Sequence, residues 1–201
     1  MNSNFKSAFV LFLLSGIICL INLYGCSDKL KYEKYSSKSI NLNLSLDYIA
    51  GWLYSEQIGA NDNFPQVVFY KPSKKDAISL AGIIVTVDKS TKIQLPAQTI
   101  EAVAVDLLSK RQRFKDAKIL LKLKRKFLGL PAWDIKLSYK TLDKTYSAEA
   151  KLIAVIERII IFKREDKFYT LRYENRAEEF DQFSGAFSRI INSLRFKDRP
   201  R

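Results

Sequence analysis

The chain has 201 residues, a formal net charge of +13, two cysteines and no histidine. Without histidine, Ser-His-Asp and Cys-His catalysis are excluded, and so are zinc sites built on imidazole. A positive charge this large favours anionic partners: acidic protein surfaces, anionic headgroups or nucleic acid.

The first 25 residues read as an export signal. Residues 1–7 are short and polar with one cation, Lys6, residues 8–23 are almost wholly apolar, and Gly25 stands directly before Cys26. That order is the n-region, h-region and cleavage site of a signal peptide. The apolar run is short for a bilayer span, which needs about 20 residues. Leu23-Tyr24-Gly25-Cys26 resembles the lipobox of bacterial lipoproteins, which implies that Cys26 is acylated and becomes the mature N-terminus. An uncleaved membrane anchor and an ordinary secretory signal are the alternatives. Cys19 lies in the discarded segment, so the folded body has no thiol for a disulfide. A domain of this size buries enough surface to do without one. Export also argues against nucleic acid as the partner.

Residues 26–39 then comprise the lipidated cysteine and a polar, lysine- and serine-rich tether. Residues 40–197 form one domain, and residues 198–201 a basic tail. Ile40, Leu42, Leu44, Leu46 and Tyr48 recur at every second position, the period of a half-buried strand. Ala50-Gly51-Trp52 turns the chain. Residues 64–70 are a second strand, closed by Lys71-Pro72, and residues 78–87 a third, apolar enough to be central and buried on both faces. At residues 99–114 the period changes. Ile100, Val103, Ala104, Leu107 and Leu108 share one helix face, with Thr99 as N-cap and Glu101 in the first turn.

Strand period returns at 118–127, where Ile119, Leu121, Leu123 and Phe127 are expected inside and Lys118, Lys122, Lys124 and Lys126 outside. Gly129-Leu130-Pro131 turns into a strand at 132–139, on which Trp133, Ile135, Leu137 and Tyr139 share a face and read as core. Residues 146–162 are too long for an ordinary strand, so a bend or bulge is expected there. A charged turn at 164–167 leads back along 168–173. The last helix, 178–194, carries the stripe Phe180, Phe183, Phe187, Ile190, Ile191 and Leu194, which reads as core. Strands, helix, strands, helix make an α+β domain with a mostly antiparallel sheet.

Chemistry-bearing groups are sparse. Glu178, Glu179 and Asp181, beside Glu174, open a helix, where acids suit the dipole better than they suggest a calcium site. Glu56, Asp62 and Asp88 show no ligand spacing, and Ser184-Gly185 lacks a nucleophile-elbow context. No cofactor, metal site or small-molecule substrate is read from the sequence. The one exposed pattern is the row Lys122, Lys124 and Lys126, a candidate face for an acidic protein or anionic surface; its plain reading is a solvated or protected strand edge.

Several segments together resemble the PsbP family, the extrinsic proteins of photosystem II and their bacterial relatives. They are the strand ending in Gly51-Trp52, then Val67-Val68-Phe69-Tyr70, then Phe127-Leu128-Gly129-Leu130-Pro131-Ala132. The aromatic strand from Lys167 to Tyr173 and the closing Ile190-Ile191-Asn192-Ser193-Leu194-Arg195-Phe196 complete the match over residues 40–197. The resemblance implies an α/β/α sandwich with helices on both sides of the sheet, as in the Ran-binding Mog-type proteins. With the lipobox and the lack of a candidate catalytic set, the reading is a non-catalytic, lipid-anchored binding or assembly module on the extracytoplasmic side of a membrane. An extrinsic photosystem II accessory protein is the alternative, and a carboxylate-based enzyme a distant one.

Overall fold

The computed structural model describes residues 30–39, 42–57, 65–72, 81–89, 99–142 and 151–197. The chain divides into two units, Met1–Lys31 and Tyr32–Arg201, and the fold below is that of the second. The export signal, Cys26, Asp62 and the tail at 198–201 lie outside the described residues.

In chain order the elements are β1 (Tyr32–Ser36), β2 (Leu44–Ile49), β3 (Leu53–Gln57), β4 (Gln66–Tyr70), β5 (Gly82–Lys89) and α1 (Ile100–Arg111). They continue with β6 (Lys115–Phe127), β7 (Leu130–Leu142), β8 (Leu152–Arg164), β9 (Lys167–Arg176), α2 (Phe180–Ser193) and β10 (Arg195–Phe196). Seven strands form the main sheet in the order β3-β4-β5-β9-β8-β7-β6, every neighbour antiparallel. β1, β2 and β10 form a separate small sheet. The expected α+β architecture, with helices on both sides of a mostly antiparallel sheet, is the one observed.

Each helix covers its own face. Thr99 caps α1 by accepting from the Ala102 amide, as its sequence position predicts. The helix then packs Val103, Ala104 and Leu108 onto Ile135, Leu137, Val155, Ile159 and Ile161 of β7 and β8. On the opposite face α2 buries Phe180, Phe183, Phe187, Ile190 and Ile191 together with the small sheet. Burying each such side chain contributes roughly 1.5–3 kcal/mol, so the aromatic stripe is core.

Two turns follow from local stereochemistry. Leu128 and Gly129 both have positive φ, 51° and 78°, and join the paired residues Phe127 and Leu130 in a two-residue hairpin. Left-handed backbone at both turn positions matches the twist of the flanking strands. At the end of β2, Gly51 adopts φ 81°, which a side chain there would strain.

Several expectations are corrected. The tether does not run to Ser39: β1 pairs antiparallel with β2 from Tyr32 onward, and Tyr35 is buried in the core. Tyr35 donates to Glu56 at 2.8 Å, and the same carboxylate accepts the Lys38 and Ser39 amides at 3.1 and 2.8 Å. Burial works to raise the Glu56 pKa, but these hydrogen bonds outweigh it and hold the carboxyl below its usual range. Strands β3 and β10 add to the expected elements; both are short and carry no clear apolar alternation in the sequence. β5 lies inside the sheet, third of seven strands, but is buried mainly on one face, with Ile84, Thr86 and Asp88 only partly covered. β8 needs no bulge: it pairs one-to-one with β7 and β9 along its whole length. The register shifts fall in β6 instead, between Lys115 and Lys118 and between Ile119 and Leu121.

Candidate docking face

The sheet ends at β6, and its position explains its unusual surface. α1 packs mainly over β7 and β8, and α2 over β2 and β9, so the last strand lies at the margin of both helices. Ile119, Leu121 and Leu123, expected inside, are therefore 46%, 39% and 36% exposed, with Leu120 at 50% beside them. Phe127 alone of that set is buried. Alternation groups Leu121, Leu123 and Phe127 on one face, but the register shift sets Ile119 opposite Leu137 on the α1 face, and a period of two does not fix whether a face is covered.

Lys122, Lys124 and Lys126 are all exposed, as expected, but two of them are engaged. Lys122 and Lys124 sit 5.1 and 5.2 Å from the centroid of the Trp133 ring on β7. Their register partners are Ile135 and Trp133, so these lysines share the α1 face of the sheet. Lys124 also reaches Glu101 in the first turn of α1 at 2.9 Å, and that hydrogen bond pulls the Glu101 pKa down. Cations over an indole face are attracted by its quadrupole. Trp133 is thus half-buried: its lower side packs on the second core with Ile135 and Leu137, and its upper side carries the lysines.

Beneath α1 lies a group of charges that the sequence reading missed. Glu157 on β8 is fully buried and receives Arg111 through Nε at 2.7 Å and Nη2 at 3.0 Å. Arg172 on β9 adds Nε at 2.6 Å and reaches on to Glu174 at 3.1 Å. Burial drives the Glu157 pKa upward, and the two guanidiniums overcome it, leaving the carboxyl below its usual range. Glu174, directly opposite Glu157 in the register, goes the other way, raised by burial with the Glu157 charge adding to it. On the other face Asp134, also buried, accepts from Arg158 at 3.1 and 2.8 Å and lies 3.1 Å from Arg125. The available signal was the charged pair Glu157-Arg158 inside an apolar run, because an interior charge requires a partner.

Asp88 stands apart. Burial raises its pKa from 3.8 to about 6, the Lys110 charge opposing, and its Oδ1 is buried without a partner among the described residues. A folded pKa above the unfolded one means that the folded state binds more protons between the two values. Stability from this residue is present at low pH and lost as pH rises from about 4 through about 6. Asp88→Asn is expected to raise the urea midpoint at pH 7 and to flatten the slope across that window. An unchanged pH profile in the variant counts against this assignment.

Among the described residues no three His, Cys, Asp or Glu side chains converge on a point that would hold a metal ion. Glu178, Glu179 and Asp181 instead open the 3-10 turn and α2.

A twisted antiparallel sheet with a helix on each face, the small sheet sharing one side, is the fold of the PsbP and Mog1 proteins. No family model matches the sequence, and no curated protein matches it. Among solved structures, the chain is similar to cyanobacterial PsbP (CyanoP) from Synechocystis sp. PCC 6803, at 14% identity and a TM-score of 0.52, covering 86% of this chain and 96% of that one. LpqN of Mycobacterium tuberculosis, involved in cell envelope biogenesis, matches at 12% identity and 0.52, covering 85% and 93%. The Ran-binding protein Mog1p of Saccharomyces cerevisiae matches at 8% and 0.50, covering 85% and 97%. At these identities the likeness establishes the fold.

Proposed function

We propose that this protein is a non-catalytic, lipid-anchored accessory module on the extracytoplasmic side of a membrane, where it docks onto an acidic partner through β6. The observation that carries the reading is the exposed lysine row at 122, 124 and 126 on a terminal strand of a strongly basic chain. Support also comes from LpqN, a neighbour in fold that serves the cell envelope, and from the lipobox ending at Cys26. The resemblance of its segments to the PsbP family keeps an extrinsic photosystem II accessory protein as the alternative in a photosynthetic source.

Cross-linking pull-down from native membranes, comparing wild type with K122E/K124E/K126E, tests the docking. The variant is expected to lose the partner while melting nearly as the wild type does. Among the described residues it breaks one ion pair, Lys124 with Glu101, which is exposed and worth about 0–1 kcal/mol, and two exposed lysine contacts with the Trp133 ring, each worth about 0.5–1 kcal/mol. Wild-type capture is expected to fall with added salt, since screening shortens the reach of surface charges. Equal capture by both proteins refutes the docking face.

For the anchor, metabolic fatty-acid labelling is expected to mark the wild type and not Cys26→Ser. Two acyl chains hold stably, at about 0.8 kcal/mol per buried methylene. Equal labelling of both proteins, or of neither, refutes it. β1 begins at Tyr32, so the chain from an anchored Cys26 to that strand can span at most roughly 20 Å, at about 3.3–3.6 Å per residue.

A further inference from the structure

We infer that the outer edge of β6 receives an extended acidic segment of another protein, which joins the main sheet as an added strand. The inference rests on the docking reading above and specifies its mode. Among the described residues nothing pairs the outer edge of β6, so its outward amides and carbonyls are open to a partner. At the other end of the sheet β3 is only five residues long, and its Glu56 is already taken up by Tyr35 and the Lys38 and Ser39 amides.

Three features select residues 121–127 as the receiving stretch. First, both register shifts lie before it, and from Leu121 to Phe127 the pairing with β7 is one-to-one, leaving a regular outer edge. Bulges twist and blunt an edge, and this stretch has none. Second, the lysines that commonly guard such an edge are drawn inward: Lys122 and Lys124 hold their ammonium groups over Trp133, on the inner neighbour β7. Third, the two faces differ in chemistry. Leu121 and Leu123 are exposed on one, and Lys122, Lys124 and Lys126 on the other.

Charge decides the occupant. β6 carries Lys115, Lys118, Lys122, Lys124, Arg125 and Lys126 against one acid, Asp116, which Lys140 already holds at 2.7 Å. A second copy pairing edge to edge would set lysines against lysines, and like charges across a strand pair are destabilising. A segment alternating apolar and acidic residues satisfies both faces at once. Its apolar positions extend the Leu121 and Leu123 surface, its carboxylates meet the lysines, and its backbone completes the ladder. Strand addition takes affinity from main-chain hydrogen bonds and specificity from alternate side chains.

The test uses the full-length chain in neutral detergent and a fluorescent peptide alternating valine and glutamate. A second peptide of the same sequence has every other amide N-methylated, so one edge cannot bond. The first peptide is expected to bind, the methylated one at least tenfold more weakly. Outward amides within 121–127 are expected to exchange at least tenfold more slowly when the first peptide is bound. Equal binding of both peptides, with exchange unchanged, overturns strand addition while leaving the lysine docking intact. If neither peptide binds, strand addition falls, and the pull-down above judges the docking separately. Slowed exchange with phosphatidylglycerol vesicles but not with peptide would assign the edge to a lipid surface. Slowing that depends on protein concentration alone would assign it to a second copy. Either result overturns the proposal.

Discussion

Glu157→Gln is expected to cost about 3 kcal/mol of folding stability, the lower end of the range of roughly 3–5 for removing one partner of a buried pair. The carboxylate is fully buried and holds Arg111 and Arg172 at once. Once it is neutral, Arg172 keeps Glu174 at 3.1 Å, whereas Arg111 faces an amide with one uncharged acceptor oxygen, and an NH2 donor where its second acceptor stood. The two arginines are about one-fifth exposed, at 19% and 22%, so water reaches them and limits the penalty. Because Arg111 closes α1, the loss should appear in urea titration and also as faster amide exchange in that helix. The pair Glu157→Leu with Arg111→Leu is expected to recover much of the loss, since an apolar replacement leaves no stranded charge. The pH dependence has a definite sign. Glu157 has a depressed folded pKa, so its stabilisation is present above the unfolded value near 4.3 and is lost as pH falls through the folded one. Asp88 and Glu174, both raised, push the opposite way at higher pH. The stability maximum is therefore expected on the acid side of neutrality.

Phe187→Ala is expected to cost about 3–5 kcal/mol, the range for emptying a large buried aromatic site. Phe187 is 0% exposed, and its ring stacks on Tyr173 at 5.6 Å between centroids. It sits midway along α2, the helix that closes the first core against both the main sheet and β2. Neighbouring side chains cannot collapse into the space, because Tyr173 is itself fixed by its hydroxyl donating to the Phe180 carbonyl at 2.8 Å. The thermal midpoint should fall with the unfolding transition still cooperative. A loss under 1 kcal/mol would overturn the close packing of α2 around Phe187.

What was legible in the sequence, and what was not, divides along physical lines. The cap at Thr99, the α1 stripe, the turn at Gly129 and the aromatic face of α2 are each fixed by neighbours within a few residues. Period and turn chemistry reveal such features directly. The exposure of Leu121 and Leu123 depends on where two distant helices end, which no local period records. The same holds for β1, whose burial of Tyr35 is made possible by Glu56 on another strand. The candidate face was half legible. The lysine row could be read from spacing, but its engagement with Trp133 and Glu101 depends on the pairing of β6 with β7 and the placement of α1.

The unbroken pairing of β8 raises a question of its own, because Ile159-Ile160-Ile161 offers three nearly equivalent ways to align a strand. A slip of one residue exchanges the two faces. Among isoleucines alone that exchange would be almost silent. Here it would swing Glu157 away from Arg111 and Arg172, and carry Arg158 away from Asp134, leaving charges stranded on both sides of the sheet at once. Adjacent residues of opposite charge, aimed at opposite faces, thus act as a two-sided key. The run supplies the adhesion and the charged pair selects the alignment, because a slipped register would bury both charges without partners once the helices close.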